Sequence, residues 1–342
     1  MAANKEELNK KVCDMYFYKG MDQREIASIC KISQPTVSRI TKKAAKNGYL
    51  KANPELTEEN VYDKIRKAIC GKYELEDTII YHPPDLETET GITYFKELGK
   101  LTAKYLDKLI KDERLEPTFQ ISVAHGRSVH YTIKALPERV ARLNVDPLML
   151  IRGLGVEAGK IPAWVNAISL GLKYWMNQTW EQIIPQYFED IKGKELLQTA
   201  NLMLKKDKVK RALGRIGDSN IILQGVGPLY PEATFARVAK KLDLEYSELE
   251  KMGIAGSICH TPVDRNGNPI TLLNMQNLAI TIPLDRLREL ARDKSRQIIL
   301  IAGGEEKFEI IKTTLKGRYC NVLATDANIA SRLFYDDETK TK

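Results

Sequence analysis

Along the first fifty residues, apolar positions recur at intervals of three and four, the period of helices that bury one face. Leu8, Val12 and Met15 mark a first helix. Asp22 and Glu25 then form a D-x-x-E arrangement. The Asp carboxylate accepts from a free first-turn N–H and the Glu reaches back, so a second helix starts here, carrying Ile26, Ala27 and Ile29. A tight connection at Cys30-Lys31-Ile32 leads to Ser33, a good N-cap. Pro35 falls in the first turn of a third helix, where a missing N–H costs nothing. That helix is expected over 34–47, ending at Gly48. Two helices joined by three or four residues predict a helix-turn-helix, whose second helix enters the DNA major groove. Ala27 is small where the helices must touch, and Ile26, Ile32, Val37 and Ile40 supply the shared core. Lys31 stands where Gly usually takes a left-handed conformation, at a cost of ~1–2 kcal/mol.

Beyond residue 54 the pattern changes. A linker and helix over 54–72 bury Val61, Ile65, Ala68 and Ile69, and short apolar runs then alternate with amphipathic stretches. Strands are predicted at 78–82, 119–124, 147–151, 220–225, 257–263, 278–282, 297–302 and 321–325. Helices are predicted around 93–111, 128–136, 194–213, 232–241, 285–292, 304–316 and 326–334. This alternation implies an α/β body with a mainly parallel sheet covered by helices. The expected division is therefore a DNA-binding domain over 1–53 and an α/β domain over 54–342. The stretch 155–190, with Trp164, Trp175 and Trp180, yields no clear pattern.

Charge sharpens the picture. Residues 1–53 hold 11 Lys and Arg against 5 Asp and Glu, a net +6, which leaves +2 for the other 289 residues. A basic segment on a near-neutral body is an electrostatic footprint for a polyanion. The outer face of the third helix offers Ser33, Gln34, Thr36, Ser38, Arg39, Lys42 and Lys43 as DNA-binding candidates. Gln can pair with adenine, Arg with guanine, and Lys with phosphates. No apolar run approaches a membrane span, the N-terminal residues lack a signal-peptide core, and five scattered cysteines form neither a disulfide framework nor a zinc site. A cytoplasmic protein without membrane partner, metal or cofactor is expected.

In parallel sheets, ligands bind at the carboxyl ends of strands, where glycine turns open helices. Two places qualify: Ala124-His125-Gly126-Arg127-Ser128 and Ile301-Ala302-Gly303-Gly304-Glu305-Glu306-Lys307. The first offers Ser128 and helix N–H groups to an anion, with Arg127 adding charge; the second offers Lys307. Together they suggest one anionic pocket. Catalytic signals are thin. The histidines lack ligand spacing, Cys259 reads as a small buried residue, and 264–268 (Asp-Arg-Asn-Gly-Asn) reads as a hairpin turn. A base for an enzyme reading could come only from Asp264 or His125.

The helix-turn-helix text DQREIASICKISQPTVSRITKKAAKNGYL closely resembles that of the SorC/DeoR-type sugar-responsive transcriptional regulators of bacteria. The resemblance continues through VAHGRSVHYTIKAL, IILQGVGPL, GIAGSICHTPVDRNGNPI and ILIAGGEEKFEIIKTTLKGRYCNVLATDANIASRLF. It implies a Rossmann-like effector domain related to sugar-phosphate isomerases, an oligomer (dimer or tetramer), an operator DNA partner and a phosphorylated sugar as effector. By the same resemblance, the effector-binding positions fall on His125, Gly126, Arg127, Ser128, Ser257, Asp264, Gly303, Gly304 and Lys307. Three positions depart from the family pattern. His125 replaces an aromatic residue, Ser128 stands where Thr is common, and Ser257 takes the place of an acidic residue. The alternative is a sugar-phosphate isomerase or deaminase with a fused DNA-binding module.

Overall fold

The computed structural model describes residues 8–9, 11–13, 15–16, 21–46, 58–82, 92–111, 120–124, 126–136, 144–147, 195, 198, 201–202, 205, 207–240, 243–270 and 281–336. His125, Gly48 and the stretch 155–190 lie outside these residues. The chain divides into two compact units, residues 1–72 with 327–342 and residues 73–326.

In the first unit, helices α1 (Gln23–Cys30) and α2 (Gln34–Lys46) form the predicted pair. The capping box is present: Asp22 Oδ1 accepts from the Arg24 N–H at 2.5 Å, and Glu25 Oε2 accepts from the Asp22 N–H at 3.3 Å. Lys31 ends α1 in the left-handed conformation (φ 53°, ψ 44°), and the Ile32 N–H donates to the Ala27 carbonyl at 3.0 Å. Val12, Ile26 and Val37 are fully buried, with Leu8, Met15, Ala27, Ile32 and Ile40 packed around them. This core matches the apolar spacing read from the sequence, whereas Ile29 is 48% exposed. Helices α3 (Glu58–Tyr73) and α11 (Ala327–Tyr335) also contribute to this unit. The Lys72 ammonium donates to the Leu333 carbonyl at 3.2 Å and to the Asp336 carbonyl at 2.5 Å.

The second unit is built on six parallel strands in the order β1-β9-β8-β4-β2-β3. Their ranges are β1 Asp77–Tyr81, β2 Gln120–Val123, β3 Asn144–Pro147, β4 Ile221–Gln224, β8 Gln297–Ile301 and β9 Val322–Asp326. Every residue of β4, β8 and β9 is buried, as expected for central parallel strands covered on both faces. Helix α4 (Ile92–Lys111) and helix α5 (Arg127–Ala135) bury Leu98, Leu106, Val129 and Ile133 in the same cluster as strand residues Ile121, Leu223 and Ile299. Gly99 makes this fit possible, because a Cβ there would lie 2.7 Å from the backbone at Tyr131 and Thr132. Helices α6 (Asp207–Gly217), α7 (Thr234–Lys240), α8 (Tyr246–Lys251), α9 (Leu284–Arg292) and α10 (Phe308–Lys316) complete the described helices.

Three differences from the sequence reading matter. The third predicted strand lies upstream, at Asn144–Pro147, and residues 148–151 are outside the described set. The predicted strand 257–263 is instead a hairpin, β6 (Ile254–Ile258) and β7 (Thr261–Asp264), turning at Cys259-His260. Antiparallel strand β5 (Val226–Pro228) joins β6 and β7 in a second small sheet that no pattern announced. Residues 271–280, which carry most of another predicted strand, are outside the described set.

Candidate functional site

On the helix-turn-helix, Val37 and Thr41 turn inward, with the Thr41 hydroxyl donating to the carbonyls of Val37 and Ser38. The opposite face leaves Ser33, Gln34, Arg39 and Lys43 exposed and Thr36 and Ser38 half-buried. The Lys42 side chain lies outside the described set. Ser33 Oγ lies 2.8 Å from Thr36 Oγ1, so these two hydroxyls order each other at the start of α2. The face therefore presents one guanidinium, one ammonium and one amide. That set suits phosphates and base edges.

In the second unit, the chain leaves β2 toward β3 on one side, while β4 lies on the other side of β2 and leads to β8. This reversal opens a crevice at the carboxyl ends of β2 and β4, the place where open parallel sheets bind ligands. A cleft of about 180 Å³ occupies it, lined by the first turn of α5, the 225–228 segment, Ser257, Cys259, His260 and Lys307. The structure thus brings together Gly126, Arg127, Ser128, Ser257 and Lys307 from the candidates.

Each wall has a local cause. Gly126 has φ 146° and ψ 152°, a conformation only glycine holds without strain, and no side chain caps α5. The N–H groups of Arg127, Ser128 and Val129 head the helix with its positive dipole end, a ready anion seat. Lys307 reaches the cleft from the 3-10 turn Glu305–Lys307 after β8. Burial pushes its ammonium below the usual lysine range; Glu306 opposes that, Arg127 adds to it and Asp326 opposes it. Arg127 and Lys307 share a neighbour, the Phe95 ring, whose centroid is 4.2 Å from the guanidinium carbon and 5.5 Å from the ammonium.

Gly303 and Gly304 serve a different purpose and do not line the cleft. A Cβ on Gly303 would collide with the Tyr94 hydroxyl and the Asp326 carboxylate. Asp326 Oδ2 accepts from the Tyr94 hydroxyl at 2.7 Å and from the Gly304 N–H at 2.8 Å. The glycines thus let the turn after β8 close on a carboxylate at the end of β9. Asp264 also stands apart from the cleft-lining residues. Its carboxylate accepts from the N–H groups of Asn266 and Asn268, both at 2.8 Å, and from Asn268 Nδ2 at 3.1 Å. Burial works to raise its pKa, but the bonds from Asn268, Asn266 and Gly267 outweigh it and hold the carboxyl below the usual range.

Sequence reasoning did not single out Gly225, Gly227, Tyr230 or His260 as lining residues. The text Gly225-Val226-Gly227-Pro228 after an apolar run is a third strand–glycine junction and was open to the same rule. The Tyr94–Asp326 pair spans 232 positions and has no local signal. Burial pushes the Cys259 thiol up to about 12, partly opposed by a hydrogen bond with Thr281, which suits a structural thiol and not a nucleophile.

Residues 60–335 match the family described as "Putative sugar-binding domain". The deoxyribonucleoside regulator of Bacillus subtilis (strain 168) is 26% identical over 342 residues, covering 98% of this chain and all of that protein. The sorbitol operon regulator of Klebsiella pneumoniae is 25% identical, over 94% of this chain and 96% of its own. The crystal structure of full-length SorC from Klebsiella pneumoniae superposes with a TM-score of 0.63 at 24% identity, covering 96% of this chain and 98% of that one. The chain belongs to this sugar-binding domain family, that of the SorC/DeoR-type transcriptional regulators.

Proposed function

We propose that the protein binds operator DNA through residues 1–53 and that a phosphorylated sugar, bound in the cleft of the α/β region 54–342, sets its operator affinity. The observation that carries this reading is the pair of cations, Arg127 and Lys307. They come from two different strand ends into one cleft, and among the described residues that line it there is no carboxylate. Two positive charges with helix N–H groups beside them suit a phosphate dianion. Ser257 and His260, also on the lining, offer hydrogen-bonding groups of the kind that sugar hydroxyls need. The names of the relatives, a deoxyribonucleoside regulator and a sorbitol operon regulator, point to the same carbohydrate class.

Gln34, Thr36, Ser38 and Arg39 read base edges, with Ser33, Lys42 and Lys43 on the backbone. One such module makes few base contacts, so the protein acts in the cytoplasm as a dimer or tetramer on paired half-sites. Arg39→Ala should cost ~1–3 kcal/mol at the operator, whereas Lys43→Ala should weaken all sequences alike and lower the salt slope by about one unit. Equal binding of operator and random DNA by wild type and Arg39→Ala would remove α2 as the reading element. The effector is tested by a thermal-shift screen of sugars with and without phosphate, followed by operator titration with each hit. Stabilisation by phosphorylated members alone is expected. Turnover of a sugar phosphate at enzyme-like rates would overturn the regulatory reading.

A further inference from the structure

The two cations of the cleft are long, flexible and alike in charge, so left to themselves they would splay apart into water. Phe95 sits where it can prevent this. It lies on α4, is 6% exposed, and is not itself a lining residue of the cleft. Its ring belongs to a cluster of edge-on aromatic contacts. Tyr94 packs edge-on at 5.3 Å and 84°, and Tyr81 packs on Tyr94 at 5.9 Å and 65°. Tyr94 is in turn tied by its hydroxyl to Asp326. The negative face of an aromatic ring attracts cations within ~6 Å of its centroid, and both Arg127 and Lys307 fall inside that limit.

We infer that Phe95 is a positioning residue of the anion cleft, holding the Arg127 guanidinium and the Lys307 ammonium together over one ring so that a phosphate group meets both at once. The inference rests on the reading of this cleft as a phosphate site. Phe95 touches no ligand; it acts through the two cations. A ring in this position offers two like charges a shared attraction and lowers the cost of their proximity. It also limits the rotamers of two side chains that would otherwise be ordered only on binding.

The experiment is titration of the full chain with inorganic phosphate, followed by phosphorus NMR, in the wild type, Phe95→Leu, and chains with mono-, di- and trifluorinated phenylalanine at position 95. Fluorination drains the ring face of negative charge while nearly preserving its volume, so packing alone cannot produce a graded response. Phosphate affinity is expected to fall stepwise with each fluorine and about tenfold in Phe95→Leu, with the Tm of the ligand-free fluorinated chains unchanged. Equal affinity across the fluorinated series would overturn the inference, even if Phe95→Leu binds poorly or fails to fold. A wild type that binds neither phosphate nor any sugar phosphate would instead overturn the phosphate reading of the cleft.

Discussion

Lys307 carries its charge in a place that disfavours it. Burial depresses its pKa, Glu306 opposes, Arg127 deepens the depression and Asp326 opposes. Between the lowered folded value and the ordinary unfolded value, the unfolded chain holds more protons, so this lysine makes stability rise with pH across that window. Below the window the charged form costs the fold its full amount. A bound phosphate would push that pKa back up. Binding should then draw in protons at alkaline pH, and affinity should decline as pH rises through the depressed pKa. Calorimetry at several alkaline pH values, each in two buffers of different ionisation heat, reads this directly. Proton uptake is expected in the wild type and should vanish in Lys307→Gln, which should also lose about 1.5–3 kcal/mol of phosphate binding. Uptake that persists in Lys307→Gln would assign the proton to another group. Sequence alone presents Gly303, Gly304 and Lys307 as one anion loop. Only the fold shows that the glycines serve Asp326 and Tyr94 while the lysine serves the cleft, because the contacts that separate them come from residues 94 and 326.

At the level of single elements, α1 is a helix with one good end and one costly end. Asp22 closes the amino end with a capping box, and Lys31 closes the carboxyl end at φ 53° with a side chain that favours other conformations. Asp22→Ala should destabilise α1 by ~1 kcal/mol. Lys31→Gly should stabilise it by about 1 kcal/mol, since glycine adopts this conformation without a Cβ clash. Amide exchange across 23–30 measures both, and the expected changes in protection have opposite signs. A loss of protection in Lys31→Gly would show that the lysine makes a compensating contact. These caps were legible because their chemistry is local: carboxylate, hydroxyl and proline signals act within four residues. The β6–β7 hairpin was not legible for the converse reason. Its turn residues Cys259 and His260 both take positive φ, 48° and 62°, a conformation that Asn-Gly would advertise and Cys-His does not. Six of the predicted strands nonetheless overlap the six strands of the parallel sheet, because buried parallel strands are uninterrupted apolar runs that glycine and polar residues bracket.

For the molecule as a whole, the regulatory reading has a thermodynamic corollary. If the sugar phosphate weakens operator binding, operator must weaken sugar-phosphate binding by the same factor, and a coupling of ~1–3 kcal/mol is expected. Measuring ligand affinity with and without saturating operator DNA tests this. Identical affinities would mean that the cleft, whatever it binds, does not govern DNA binding.

The order of the chain carries a further consequence, for the protein's manufacture. The unit that holds the helix-turn-helix is discontinuous: it takes residues up to Lys72 and then resumes at Ala327, with all 254 residues of the other unit between. A ribosome adding roughly 5–20 residues per second needs about 10–50 s to cross that interval. Throughout it α1 and α2 exist without α11 and without the Leu333 and Asp336 carbonyls that receive Lys72. A chain cut short anywhere before Ala327 would therefore carry the helix-turn-helix without the helix that completes its unit.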